Sequence, residues 1–256
     1  LPVSDLELLR DGAMAAGEIA RRHFKSSPEI WDKGSGLGPV TEADLEINKM
    51  LCAELTSSRP DYGWLSEESE DSTNRLSCER VFIIDPIDGT RSFINGSTTF
   101  AHSLAVADHG EITVAVVYLP LLDKTYVARR GHGAYLNGER INCATVEHIE
   151  SARVLAAKSQ MNPDLWKGGV PPFDRHFRSS LAYRMCLVAD GEFNAMLTLR
   201  DAWEWDIAAG VLMCQESGAV VSDRLRAPLR FNNAHPQTAG VIAAAHPLHD
   251  RIVERL

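Results

Sequence analysis

A layered α/β/α/β sandwich is the fold class that this 256-residue sequence predicts, on three observations. Helix-like and strand-like periodicities alternate in pairs along the chain. The composition, 45% apolar and 24% charged, is that of a chain able to bury a sizeable core. No internal repeat or low-complexity stretch interrupts the alternation. The expected organisation is two closely packed halves, residues 1–150 and 151–256, forming one compact unit.

The elements follow in order. Ser4 and Glu7 form a capping-box pattern ahead of apolar residues at helical spacing, which predicts a helix from Ser4 to Phe24. A glycine-rich loop, Lys33 to Pro39, comes next. Thr41 and Asp44 repeat the capping pattern and open a helix running to Thr56. Val81 to Asp85 is a short apolar strand ending on a carboxylate, and strands follow at Ala101–Ala107, Ile112–Tyr118 and Thr125–Ala128. Asn137-Gly138 reads as a hairpin turn. The second half offers a strand at Val154–Ala157, a helix at Ser180–Ala189 and a strand at Phe193–Leu199. A helix at Glu204–Ser217, strands near Val220 and Val241 and a helix to the C-terminus complete it.

The formal net charge of −9 argues against a general binder of nucleic acid or of anionic membranes, which needs a basic patch. An acidic protein that handles an anionic substrate needs a local inversion of potential, which a divalent cation supplies. The cysteines, Cys52, Cys78, Cys143, Cys186 and Cys214, are scattered and without a Cys-x-x-Cys pair, so they read as reduced thiols. No apolar run approaches the roughly 20 residues needed to span a bilayer. With no secretory signal visible, the expected location is cytoplasmic.

The chemistry concentrates in a few segments. In Asp85-Pro86-Ile87-Asp88-Gly89-Thr90 a strand delivers Asp85 to its end, and Pro86 forces a turn. That turn can aim Asp85, Asp88 and the Ile87 carbonyl at one point. The free amides of Gly89, Thr90 and Arg91 can then receive a phosphate. Hard oxygen ligands beside an anion-binding turn are what Mg²⁺ phosphoester chemistry requires. A surface turn with two solvated aspartates is the competing reading.

Upstream, Glu67 and Glu68 can supply a ligand and a base beside it, or be an acidic solvated loop. Downstream, Asp206 sits in the first turn of a helix, where helix-dipole chemistry alone accounts for an aspartate. Asp44 is either a plain capping partner of Thr41 or a group that takes a proton from water or from Thr90. If Asp44, Glu67, Asp85, Asp88 and Asp206 converge, burying them unpaired costs several kcal/mol per ion, and bound divalent cations make the cluster tolerable. No histidine falls in these segments, which argues against a zinc hydrolase. Neither an EF-hand nor a dinucleotide-binding spacing is present.

Glu67-Glu68, Asp85 to Thr90 and Trp205-Asp206-Ile207-Ala208 resemble the three signatures of the inositol monophosphatase superfamily of lithium-sensitive, Mg²⁺-dependent phosphatases. They stand in the same order, and the resemblance extends from Val40 to Asn232. It implies the layered sandwich shared with fructose-1,6-bisphosphatase. It implies one Mg²⁺ on Glu67, Asp85 and the Ile87 carbonyl, a second on Asp85, Asp88 and Asp206, and a third during turnover. Asp44 and Thr90 would activate the attacking water, Gly89 and Thr90 would grip the phosphate, and lithium would inhibit. A homodimer is also implied, for which Ile112–Leu122 is either interface or core.

Within the family, Ser66 before Glu67, Arg91 after Thr90 and Pro228–Asn232 resemble the CysQ-type branch, the 3′(2′),5′-bisphosphate nucleotidases. Ser180, which opens a helix, and Arg184 on that helix are candidate substrate contacts: Arg184 falls where that branch carries a lysine, and a second cation there suits a substrate with two phosphates. It reads equally as a helix-surface arginine. The Lys33–Pro39 loop keeps the family lysine but lacks the branch's aspartate and serine. The expected substrate is a small phosphorylated metabolite, with inositol phosphate and fructose 1,6-bisphosphate as alternatives to the nucleotide. A catalytically silent metal- or phosphate-binding module is the competing class.

Overall fold

Ser4 and Glu7 cap one another across the first turn of helix α1 (Asp5–His23), and Thr41 and Asp44 do the same for α2 (Glu42–Ser58). Both expected capping boxes are therefore formed, and each satisfies amides that have no partner inside the helix. The computed structural model describes residues 3–26, 29–32, 34, 38–146 and 148–256. Residues 33 and 35–37 of the glycine-rich loop lie outside the described residues, and with them the loop's lysine.

A short antiparallel pair, β1 (Ile30–Asp32) and β2 (Pro39–Thr41), precedes α2. Then come β3 (Gly63–Ser66), β4 (Arg80–Asp88), the short helix α3 (Thr90–Ile94), β5 (Ala101–Asp108) and β6 (Glu111–Leu119). Strands β7 (Lys124–Arg129), β8 (Gly133–Leu136) and β9 (Glu139–Ile141) follow. The seven strands β3 to β9 form one sheet in chain order, parallel between β3 and β4 and antiparallel elsewhere. Asn137 and Gly138 turn β8 into β9 with φ of 49° and 86°, the paired positive values of the tightest hairpin turn.

The remaining elements are β10 (Arg153–Leu155), β11 (Asp174–His176), α4 (Leu181–Ala189), β12 (Ala195–Thr198), β13 (Ala202–Trp203) and α5 (Glu204–Glu216). They continue with β14 (Val220–Ser222), β15 (Gln237–Thr238), β16 (Val241–Ala244) and α6 (His246–Val253). A second, five-stranded sheet runs β11-β10-β12-β16-β14, while β13 and β15 pair separately.

Side-chain alternation on the central strands builds the layers. Phe82, Ile84, Leu104, Val116 and Tyr118 face α1 and α2, and the intervening Ile83, Ala105, Ala115 and Val117 face α4 and α5. The opposite faces of α4 and α5 meet Met196 and Ala243 of the second sheet. The expected sandwich is thus present. Helix α6 adds an outer layer, its Leu248 and Ile252 covering Leu197 and Ile242. Within Ile112–Leu122, every residue of β6 from Val114 to Leu119 is buried core, while Leu121 and Leu122 are half-buried. The five cysteines are free thiols, and no described helix is long and apolar enough to cross a membrane.

Candidate active site

Asp85 and Asp88 stand three residues apart, a spacing that in a regular strand points side chains to opposite faces. The structure removes that mismatch with an irregularity. Asp85 pairs with Ser103 and Asp88 with Ala101, so three steps along β4 match two along β5. The extra residue is a β-bulge, and it brings both carboxylates to the face that meets α4 and α5.

Strand β3 runs parallel to β4, and its continuation places the Glu67 amide on the Ile84 carbonyl at 3.2 Å, beside Asp85. Asp206 arrives from the first turn of α5. One carboxylate oxygen from each of Glu67, Asp85 and Asp206 lies within 4.8 Å of the others. Burial pushes the Asp85 carboxyl well above the usual carboxylate range, and the charges of Glu67, Asp88, Asp206 and Glu68 push it further. Its Oδ1 accepts from the Ile87 amide at 3.0 Å, whereas its buried Oδ2 has no hydrogen-bond partner among the described residues. A buried acceptor without a donor, inside a set of hard oxygens, fits a divalent cation of the Mg²⁺ kind.

Asp88 is committed differently. It accepts from Ser180 Oγ at 2.7 Å and from the Leu181 and Ala182 amides at 3.2 and 2.7 Å, so it caps α4 from across the sheet. Burial raises its carboxyl to about 6, against the pull of those donors and of Arg184. Three accepted bonds leave lone pairs on a carboxylate, so capping and ligation are compatible. Ser180, a candidate substrate contact in the sequence, is the N-cap of α4 and a donor to Asp88.

Asp44 is fully buried at the start of α2. Its Oδ2 accepts from the amide and hydroxyl of Thr41, and its Oδ1 lies 3.4 Å from Thr90 Oγ1, which also donates to the Ile87 carbonyl at 3.1 Å. Gly89 adopts φ 98°, which brings the chain into α3 without a side chain over the first-turn amides. Arg91 is exposed, and Glu68 is half-buried with its amide on Ser66 Oγ.

Arg184 is not the helix-surface arginine that the sequence equally allowed. It is 5% exposed, donates to the backbone carbonyls of Arg178 and Ser179, and lies 4.5 Å over the Phe177 ring. Burial lowers its guanidinium to about 10, against the attraction of Asp88. The sequence reading also missed Arg75, Glu204, Asn232 and Asn233 as a connected group. The adjacent asparagines and a glutamate between two tryptophans were the available signals.

A layered fold of this kind with a buried carboxylate centre at the strand ends defines a metal-dependent phosphatase. The chain belongs to the inositol monophosphatase family, whose model matches residues 5–256. It is similar to the inositol-1-monophosphatase of Mesorhizobium japonicum, 32% identical over 241 residues and 85% of each chain. It also resembles the 3′(2′),5′-bisphosphate nucleotidase CysQ of Aggregatibacter actinomycetemcomitans, 29% identical over 91% of this chain and 90% of that one. Among solved structures, the Thermotoga maritima IMPase superposes with a TM-score of 0.82 at 28% identity, covering 97% of this chain and 95% of that one.

Proposed function

We propose that this phosphatase removes a phosphate monoester from a small metabolite by direct attack of water, with a 3′(2′),5′-bisphosphate nucleotide as its substrate. The observation that carries the hydrolytic reading is the partnerless Asp85 Oδ2 inside the Glu67–Asp85–Asp206 cluster. Glu67, Asp85, Asp206, Asp88 and the Ile87 carbonyl would hold two Mg²⁺ ions, and lithium would compete for such a site. When bound, Mg²⁺ neutralises phosphate charge and lowers the pKa of water. The chain's own groups do the rest. The Gly89, Thr90 and Arg91 amides orient the phosphate oxygens, and Thr90 Oγ1, aligned by Asp44, holds the water in line with the leaving oxygen. Asp206 comes from the second half of the chain and Glu67 and Asp85 from the first, which supports residues 1–150 and 151–256 acting as one unit.

The nucleotide reading rests on Arg91, exposed directly after the phosphate-holding turn, and on the likeness to the CysQ relative. A second reading, an inositol monophosphate, is favoured by the commitment of Arg184 to backbone carbonyls, which removes one candidate partner for a second phosphate. The homodimer and the cytoplasmic location expected from the sequence remain part of the proposal, and sedimentation checks the first.

Phosphate release with Mg²⁺ from 3′-phosphoadenosine 5′-phosphate, inositol 1-phosphate and fructose 1,6-bisphosphate, with and without Li⁺, is the test. A kcat/KM preference of roughly 100-fold for the nucleotide supports the first reading. The same preference for inositol phosphate replaces it with the second. Release from none of the three points to a substrate outside these three or to a silent binding module.

A further inference from the structure

Three carboxylates within 4.8 Å repel one another, so something must hold their backbones in register. Glu67 leads into an acidic loop, and Asp206 follows the first residue of α5 by two. A hydrogen-bonded chain, buried at Arg75 and Glu204, joins these segments. Asp71 receives the Arg75 guanidinium through both oxygens, at 2.7 and 2.8 Å. Arg75, 2% exposed, also donates to Asn232 Oδ1 at 2.6 Å and to the Asn233 carbonyl at 2.9 Å. Asn232 returns a bond from its Nδ2 to the Arg75 carbonyl.

The same two asparagines then hold Glu204, the first residue of α5. Their amides reach its two carboxylate oxygens at 2.6 and 2.9 Å, and Asn233 Nδ2 adds a third bond at 2.7 Å. Asn232 adopts φ 61°, the left-handed conformation that asparagine tolerates and that aims successive amides one way. Burying a glutamate and an arginine this deeply is costly unless every polar atom has a partner, and here the partners are supplied.

We propose that Asp71, Arg75, Asn232, Asn233 and Glu204 form a strut that fixes Glu67 and Asp206 at the separation the metal centre requires. Arg75 and Glu204 are positioning residues: they act through the ligand backbones. The inference rests on the metal-site reading above, and predicts that loosening the strut weakens cation binding more than it slows the chemistry once the site is filled.

The test is calorimetric titration of the metal-free full chain with Mg²⁺, for the wild type, Arg75→Met, Asp71→Asn and a surface control, Arg80→Met. Mg²⁺-dependent turnover is measured alongside. Arg75→Met is expected to lower Mg²⁺ affinity roughly tenfold, the lower end of what losing a ligand's supporting partner costs. Asp71→Asn lowers it by a smaller factor, and kcat at saturating Mg²⁺ stays within about threefold. Arg80, whose ion pair with Asp108 lies on the surface, leaves both unchanged. If Arg75→Met does not fold, Asp71→Asn decides, because that carboxylate is one-third exposed and its loss is mild. A wild type that binds no Mg²⁺ overturns the metal-site reading itself. A wild type that binds, with both strut variants within twofold of it, overturns the strut alone.

Discussion

Thr90 Oγ1 lies 3.4 Å from one carboxylate oxygen of Asp44, and the Thr41 amide holds the other at 2.9 Å. A capping box thus has a second use. The residue that closes the first turn of α2 also presents an oriented acceptor to the hydroxyl beside the carboxylate cluster. Local helix chemistry fixes Asp44 before any ligand arrives, and its full burial keeps that orientation out of competition with water.

Thr90→Ala removes the hydroxyl and leaves the cluster of Glu67, Asp85 and Asp206 intact. It is expected to reduce kcat by roughly 100-fold or more, in the range of a lost proton-handling group. Mg²⁺ binding by calorimetry is expected to change less than twofold. Equal losses of binding and turnover would place Thr90 among the ligands instead.

Asp85→Asn separates repulsion from function. The wild-type carboxyl is buried among four acidic neighbours with one oxygen unpartnered, so the metal-free fold carries an electrostatic penalty there. The amide relieves it, and the metal-free variant is expected to melt above the metal-free wild type. Adding Mg²⁺ at about 100 times its dissociation constant stabilises the wild type by about 2.7 kcal/mol, and the variant by much less. Differential scanning calorimetry with EDTA and with Mg²⁺ reads both effects. A variant that melts below the wild type without metal contradicts the argument.

How far this site was legible in the sequence depends on how local each feature is. Both capping boxes, the apolar β4 and the Asn137-Gly138 hairpin follow from neighbours in the chain, and the structure places them as expected. The β3 strand and the two- and three-residue ladders β1–β2 and β13–β15 depend on partners elsewhere, and short segments carry no period of their own. Helix α4 shows the sharper failure. All nine of its residues are buried between two sheets, so no polar stripe marks an outer face, and Arg184 was free to be read either way. The tie from Arg75 to Glu204 is wholly tertiary.

Arg184→Met tests that correction. If the guanidinium serves the backbone carbonyls of Arg178 and Ser179, its loss leaves two acceptors short of donors and costs about 3 kcal/mol of stability. KM for the preferred substrate is then expected to change less than threefold in the variant measured well below its melting temperature. A large rise in KM with little loss of stability would return Arg184 to the substrate.

The last expectation concerns pH. His102 is fully buried on β5, its Nδ1–H donates to the Pro86 carbonyl, and its Nε2 has no partner among the described residues. Burial lowers its pKa from 6.5 to about 4, partly opposed by that hydrogen bond. Between those values the unfolded chain binds a proton that the native chain refuses, so stability rises with pH across the window and falls as pH drops through it. The full effect is about 3 kcal/mol, lost progressively from near pH 6.5 and complete below about pH 4. His102→Asn keeps a donor within reach of Pro86 and removes the titration. Urea midpoints measured from pH 7 to pH 4 are therefore expected to fall more steeply for the wild type than for His102→Asn. Parallel curves would mean that the imidazole takes up its proton in the folded protein as easily as in the unfolded one. Its burial beneath the Pro86 turn would then carry no pH dependence.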